Sequence, residues 1–79
     1  MIATMSSHTI DGLRFEGDEM LITIDGQSLR FPLRTLSRRL LSATAQQRQR
    51  FEISASGYGI HWPEIDEDLS VEGMLRASK

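Results

Sequence analysis

Alternation at period two dominates the first third of the chain. Leu13 and Phe15 fall on one side of an extended segment and Arg14 and Glu16 on the other, which predicts a half-buried strand. Gly17-Asp18 supplies a turn, and Met20, Ile22 and Ile24 then alternate again, with Leu21 and Thr23 on the second face. Asp25-Gly26 is among the strongest short hairpin signals. Leu29, Phe31 and Leu33 continue on a third strand, and Pro32 limits how far it pairs in the middle of a sheet. These three strands form a meander.

The period then lengthens. Leu33, Leu36, Leu40 and Ala43 recur at spacings of three and four, one face of a helix, while Arg34, Arg38 and Arg39 lie away from that stripe. Thr44 with Gln47 three residues on makes a capping box, so a second short helical turn is expected over about 45–48. Phe51, Ile53 and Ala55 alternate with Glu52 and Ser54 as a fourth strand, and Gly57-Tyr58-Gly59 turns the chain. Ile60 and Trp62 share a face of a fifth strand that Pro63 stops, and Ser70 caps a last helix carrying Val71, Met74 and Leu75. The order is βββ-α-ββ-α. It predicts an α+β domain, a small antiparallel sheet built from the meander and a C-terminal hairpin, with one main helix packed on it. Residues 1–9 are expected to be a flexible N-terminus and 10–79 one domain.

Composition narrows the classes. With 79 residues and no cysteine, the chain has a thin core and neither a disulfide nor a thiolate metal site to reinforce it. Hydrophobic residues at 39% and charged residues at 25% are globular proportions. No apolar run approaches the roughly 20 residues of a membrane span, so a cytoplasmic protein is expected, with no membrane contact. The formal charge of −2 conceals a partition: −4 over residues 1–29, +6 over 30–50 and −4 over 51–79. A basic middle lies between two acidic flanks.

Few residues suggest chemistry. His61 lies between Ile60 and Trp62 and so faces away from the core, onto solvent or a shallow groove. As a general base it would need an orienting carboxylate, such as Asp66, and a nucleophile or water that no nearby motif supplies. His8, in the N-terminal segment, reads as a surface imidazole. The acidic run Glu64, Asp66, Glu67, Asp68 looks metal-like but fails the spacing of a calcium loop, so no metal or other cofactor is expected. Its local roles are more ordinary, with Asp68 capping its turn and Glu72 favouring the positive end of the last helix. Arg34, Arg38, Arg39 and Arg48 could touch phosphates, although no aromatic interleaves them and pairing with the acidic flanks is the plainer account. Trp62 is expected to plug the core and Tyr58, between two glycines, to be an exposed contact.

The segment from Gly59 to Leu75 joins an apolar residue, a variable one, Trp62-Pro63, the acidic turn and an apolar helix end. It resembles the C-terminal signature of a widespread bacterial family, domain of unknown function 2442. Ile22 to Phe31, with the Asp25-Gly26 hairpin, resembles that family's second and third strands. Leu36 to Leu40 and Ala43 to Arg48 resemble its helix and following turn. The resemblance implies a compact α+β fold with no assigned enzymatic site. It also implies relatives that occur alone, joined to DNA-binding helices, or beside another small gene as in toxin–antitoxin pairs.

Taken together, a non-enzymatic, monomeric protein-binding module is expected. Asp18, Glu19, Glu64, Asp66, Glu67 and Asp68 would form an acidic face, with Tyr58 and His61 as further contacts. Such a face mimics nucleic acid and would occupy a basic groove on a nucleic-acid-binding protein or complex, in the manner of an anti-CRISPR inhibitor or an antitoxin. The alternative is direct nucleic-acid binding or regulation through the arginine face, Arg34, Arg38, Arg39 and Arg48.

Overall fold

The computed structural model describes residues 8–55 and 57–77. Two antiparallel three-stranded sheets and four short helices make an α+β fold. The first sheet is the meander β1 (Ile10–Glu16), β2 (Glu19–Ile24) and β3 (Gln27–Pro32), with β2 in the centre. Asp25 and Gly26 both carry positive φ, 52° and 80°, which the tight β2–β3 turn requires. Pro32 lies opposite Glu19 at the very end of the edge strand β3, where its missing N–H costs nothing.

The second sheet holds β4 (Glu52–Ile53), β5 (Gly59–Trp62) and β6 (Glu67–Ser70) in that order. β6 is the strand that sequence reading placed inside an acidic turn. Conversely, β4 is two residues long, although the alternation at 51–55 suggested more. Ile53 at the sheet edge stays 41% exposed.

Between the sheets the expected single helix is two, α1 (Leu33–Leu36) and α2 (Arg38–Ser42), followed by α3 (Ala45–Arg48). The break is Ser37, whose extended backbone (φ −161°, ψ 113°) ends one helix and caps the next. Its buried hydroxyl accepts the Leu40 N–H at 3.1 Å and donates to Glu67 Oε2 at 2.5 Å, tying the helical connector to β6. The apolar stripe survives the break, with Leu33 and Leu40 fully buried and Leu36 packed at the margin. Thr44 and Gln47 form the full capping box of α3. Helix α4 (Val71–Ala77) starts where Ser70 Oγ accepts the Gly73 N–H at 3.0 Å.

One core unites these elements. Met20, Ile22 and Ile24 of β2, Phe31, Leu33, Leu40, Ile60, Trp62, Val71 and Met74 are buried together. Trp62 is completely enclosed, its indole N–H donating to the Arg48 carbonyl at 3.1 Å and its ring tilted against Phe51. Ser37→Ala removes both a helix cap and the donor to Glu67. It is expected to cost about 1–2 kcal/mol, read as a lower urea midpoint by the fluorescence of this single tryptophan. An unchanged midpoint would show that the break in the helix does not depend on the serine hydroxyl.

Candidate functional site

The acidic residues do not form one open anionic face. Asp18 lies 3.3 Å from an Arg48 nitrogen, Glu19 2.5 Å from Arg30 and Glu64 2.9 Å from Arg50. Glu67 is taken by Ser37, and Asp68 by His61 at 2.7 Å. Of the six, only the Asp66 carboxylate has no side-chain partner among the described residues, and its backbone carbonyl accepts a bond from Arg39. The Glu19–Arg30 and Glu64–Arg50 pairs are surface pairs, each worth roughly 0–1 kcal/mol, but they interleave the two signs of charge.

The arginine face is thinned by the same pairs. Arg48 points inward, its side chain only 11% exposed. Its guanidinium donates to the carbonyls of Leu40 at 2.9 Å, Leu41 at 3.1 Å and Gly17 at 2.9 Å, and stacks over Phe15 at 5.7 Å. It therefore satisfies a helix end and a hairpin turn instead of offering charge to a phosphate. Arg34 and Arg38 are exposed and, among the described residues, have no acceptor.

The outer face of the second sheet gathers other side chains. Strand register places Glu52, His61 and Asp68 side by side across β4, β5 and β6. Together with Ile53, Ser54, Tyr58, Gly59 and Ser70 they line an open cleft of about 470 Å³. Tyr58 and Ile53, 44% and 41% exposed, are the large apolar side chains left open to solvent among the described residues, and both stand in this cleft. Gly59 makes room at its floor, where a side chain would strike the Leu69 carbonyl. His61 sits as expected on the face opposite Trp62, but its Nδ1 partner is Asp68 on the neighbouring strand and not Asp66. The two serine hydroxyls of the cleft accept backbone N–H groups, Ser54 from Tyr58 and Gly59, Ser70 from Gly73. Asp68, read from sequence as a turn cap, thus belongs to this cleft. Glu52 and Ile53 were missed because the alternation within each strand of the expected hairpin does not fix the register that sets them opposite His61 and Ile60. No group of three or more acids and histidines among the described residues is arranged to hold a metal ion.

His8 departs furthest from its sequence reading. Residues 1–7 of the expected flexible segment lie outside the described residues, but His8 and Thr9 are held in place. The His8 ring lies 2.7 Å from Asp25 and 2.9 Å from Glu72, and the Thr9 N–H donates to Asp25 at 2.8 Å. The Glu72 contact spans 64 positions in sequence, beyond any local pattern.

A family profile described as "Protein of unknown function (DUF2442)" matches residues 10–79. The chain belongs to the DUF2442 family. A crystal structure of a protein of unknown function from Rhodospirillum rubrum is 28% identical and superposes with a TM-score of 0.72, covering 91% of this chain and 89% of that one. A search of curated proteins returned no match. No helix among the described residues of this DUF2442 chain is long and apolar enough to cross a membrane.

The inward use of Arg48 is open to test. Arg48→Lys keeps the charge but not the fork of donors, and is expected to cost about 2 kcal/mol in chemical denaturation. Arg34→Lys on the exposed face should stay within about 0.5 kcal/mol of the parent.

Proposed function

We propose that this chain is a non-enzymatic, cytoplasmic protein-binding module that captures a basic segment of another protein in the outer cleft of its second sheet. The observation that carries this reading is the coincidence of Ile53 and Tyr58, large and exposed, with the carboxylates of Glu52 and Asp68 in one cleft. An aromatic anchor beside a branched aliphatic residue is the kind of centre on which binding energy concentrates. The flanking carboxylates suit a lysine or arginine on the partner, and opposite charge speeds encounter. His61, held by Asp68, lines the same surface. A partner whose basic segment normally contacts nucleic acid would be inhibited by occupation, as an anti-CRISPR protein or an antitoxin acts. The acidic turns then serve for steering, since most of their carboxylates already have partners within the chain.

Capture of partners by the tagged chain from its native host, identified by mass spectrometry, provides the assay. Tyr58→Ala and Ile53→Ser, both on the surface, are expected to abolish capture with stability kept within about 0.5 kcal/mol. Neutralising Glu64, Asp66 and Glu67 together should slow association and leave capture in place. Capture that survives both cleft variants and is lost on neutralising the turn would overturn the cleft in favour of an acidic face.

A second reading rests on Arg34 and Arg38, exposed and without acceptors among the described residues. Two phosphate contacts give a salt dependence of log K no steeper than about −2 against log salt. No duplex DNA binding is therefore expected at physiological salt. A steep slope with tight binding would favour the nucleic-acid reading.

A further inference from the structure

His8 makes contacts that the cleft does not explain. Its Nδ1 lies 2.7 Å from Asp25 Oδ2 and its Nε2 2.9 Å from Glu72 Oε2. Ionised carboxylates only accept, so both ring nitrogens must donate, and only the imidazolium form can do this. The ring is 13% exposed. Asp25 also holds the backbone beside it, accepting the Thr9 N–H at 2.8 Å and giving its own N–H to the Thr9 carbonyl at 2.8 Å.

The other side of His8 meets the short loop at Gly57 and Tyr58 that leads into β5. Gly57, at φ 68°, packs so closely on the His8 carbonyl that a Cβ there would fall 1.8 Å from its oxygen. The loop leans in turn on α4, because the Val71 N–H donates to the Tyr58 carbonyl at 2.8 Å. Val71 is the neighbour of Glu72. The His8 backbone thus touches the loop that presents Tyr58, and its ring holds the helix on which that loop rests.

We propose that His8 is a proton-operated clasp: protonated, its ring joins Asp25 of the β2–β3 turn to Glu72 of α4 and fixes the loop carrying Tyr58, and loss of the proton opens one of the two bonds and loosens that loop. The consequence for partner binding rests on the function proposed above, whereas the clasp itself does not. The charged groups facing the ring are Asp25 from the turn and Glu72 from α4, and the loop meets His8 through Gly57. The bond to Asp25, then the bond to Glu72, holds the His8 proton above the usual imidazole value of 6.5, against a smaller opposing effect of burial. The bond to His8, then the Thr9 N–H, keeps the Asp25 carboxyl below its usual 3.8. The signs follow by linkage. The stabilisation from His8 is full below pH 6.5 and is lost as pH rises through its raised value. That from Asp25 is present above 3.8 and is lost as pH falls through its lowered value. The clasp is therefore closed between pH 3.8 and 6.5 and opens as pH rises through the raised His8 value.

An NMR titration of the full, isotopically labelled chain tests this without any partner. The His8 ring is expected to titrate with a midpoint above 6.5, with the amides of Gly57, Tyr58 and Val71 shifting along the same curve. His61→Gln removes the other imidazole of the chain and so assigns the His8 signals. Glu72→Gln should bring the His8 midpoint down towards the usual value, with Trp62 fluorescence reporting the intact fold. A His8 midpoint at or below 6.5, or loop amides that stay flat through the His8 titration, would overturn the clasp. Because none of these readouts involves capture, a failed capture experiment and a failed titration refute different statements.

Discussion

The guanidinium of Arg48 stands where three parts of the molecule meet, and their mutual placement depends on it. It closes the C-terminal carbonyls of α2 and the carbonyl of the β1–β2 turn, while its own backbone carbonyl receives the Trp62 indole. Carbonyl groups at a helix end and a tight turn carry unsatisfied acceptors, and burying them costs free energy unless a donor comes with them. One planar group with five donors provides for several at once. The first sheet, the helical connector and the buried tryptophan of the second sheet are joined through this one residue. That matters in a chain of 79 residues with no disulfide.

Local signals in the sequence were read well. The Asp25-Gly26 turn, the Thr44–Gln47 capping box, the Ser70 cap and the inward phase of Ile60 and Trp62 each depend on residues within a few positions of one another. Non-local constraints were not legible. Ser37 sits in the middle of a helical stripe, and one of the two bonds that hold it extended there, to Glu67, comes from thirty positions on. β6 carries the acids of an apparent turn because Glu67 and Asp68 each meet a partner from another element, Ser37 and His61. His8 was unreadable for the same reason, since both its partners lie far along the chain.

The charge partition of the sequence also changes meaning once folded. The −4, +6, −4 blocks are not three surfaces but components that interdigitate, because Arg48 at the end of α3 pairs with Asp18 of one acidic turn and Arg50 just beyond it with Glu64 of the other. The charge left unmatched at the surface is set less by the net value than by which carboxylates lack an arginine. Glu52 and Asp68, which have no arginine partner among the described residues, are such groups, and both line the cleft that holds the exposed Ile53 and Tyr58. The cleft therefore combines charge with apolar area, whereas the acidic turns carry charge already matched within the chain.

The segmented connector has a kinetic consequence. Helices α1, α2 and α3 are four or five residues each, far below the roughly 12–15 at which an isolated helix holds its own. None can nucleate ahead of its surroundings. The meander of the first sheet, whose pairings are close in sequence, has no such handicap and is placed to form first. In the folded chain Arg48 ties the connector to the β1–β2 turn and Ser37 ties it to β6. Such short helices draw their stability from the two sheets they join, and could not stand as a scaffold without them.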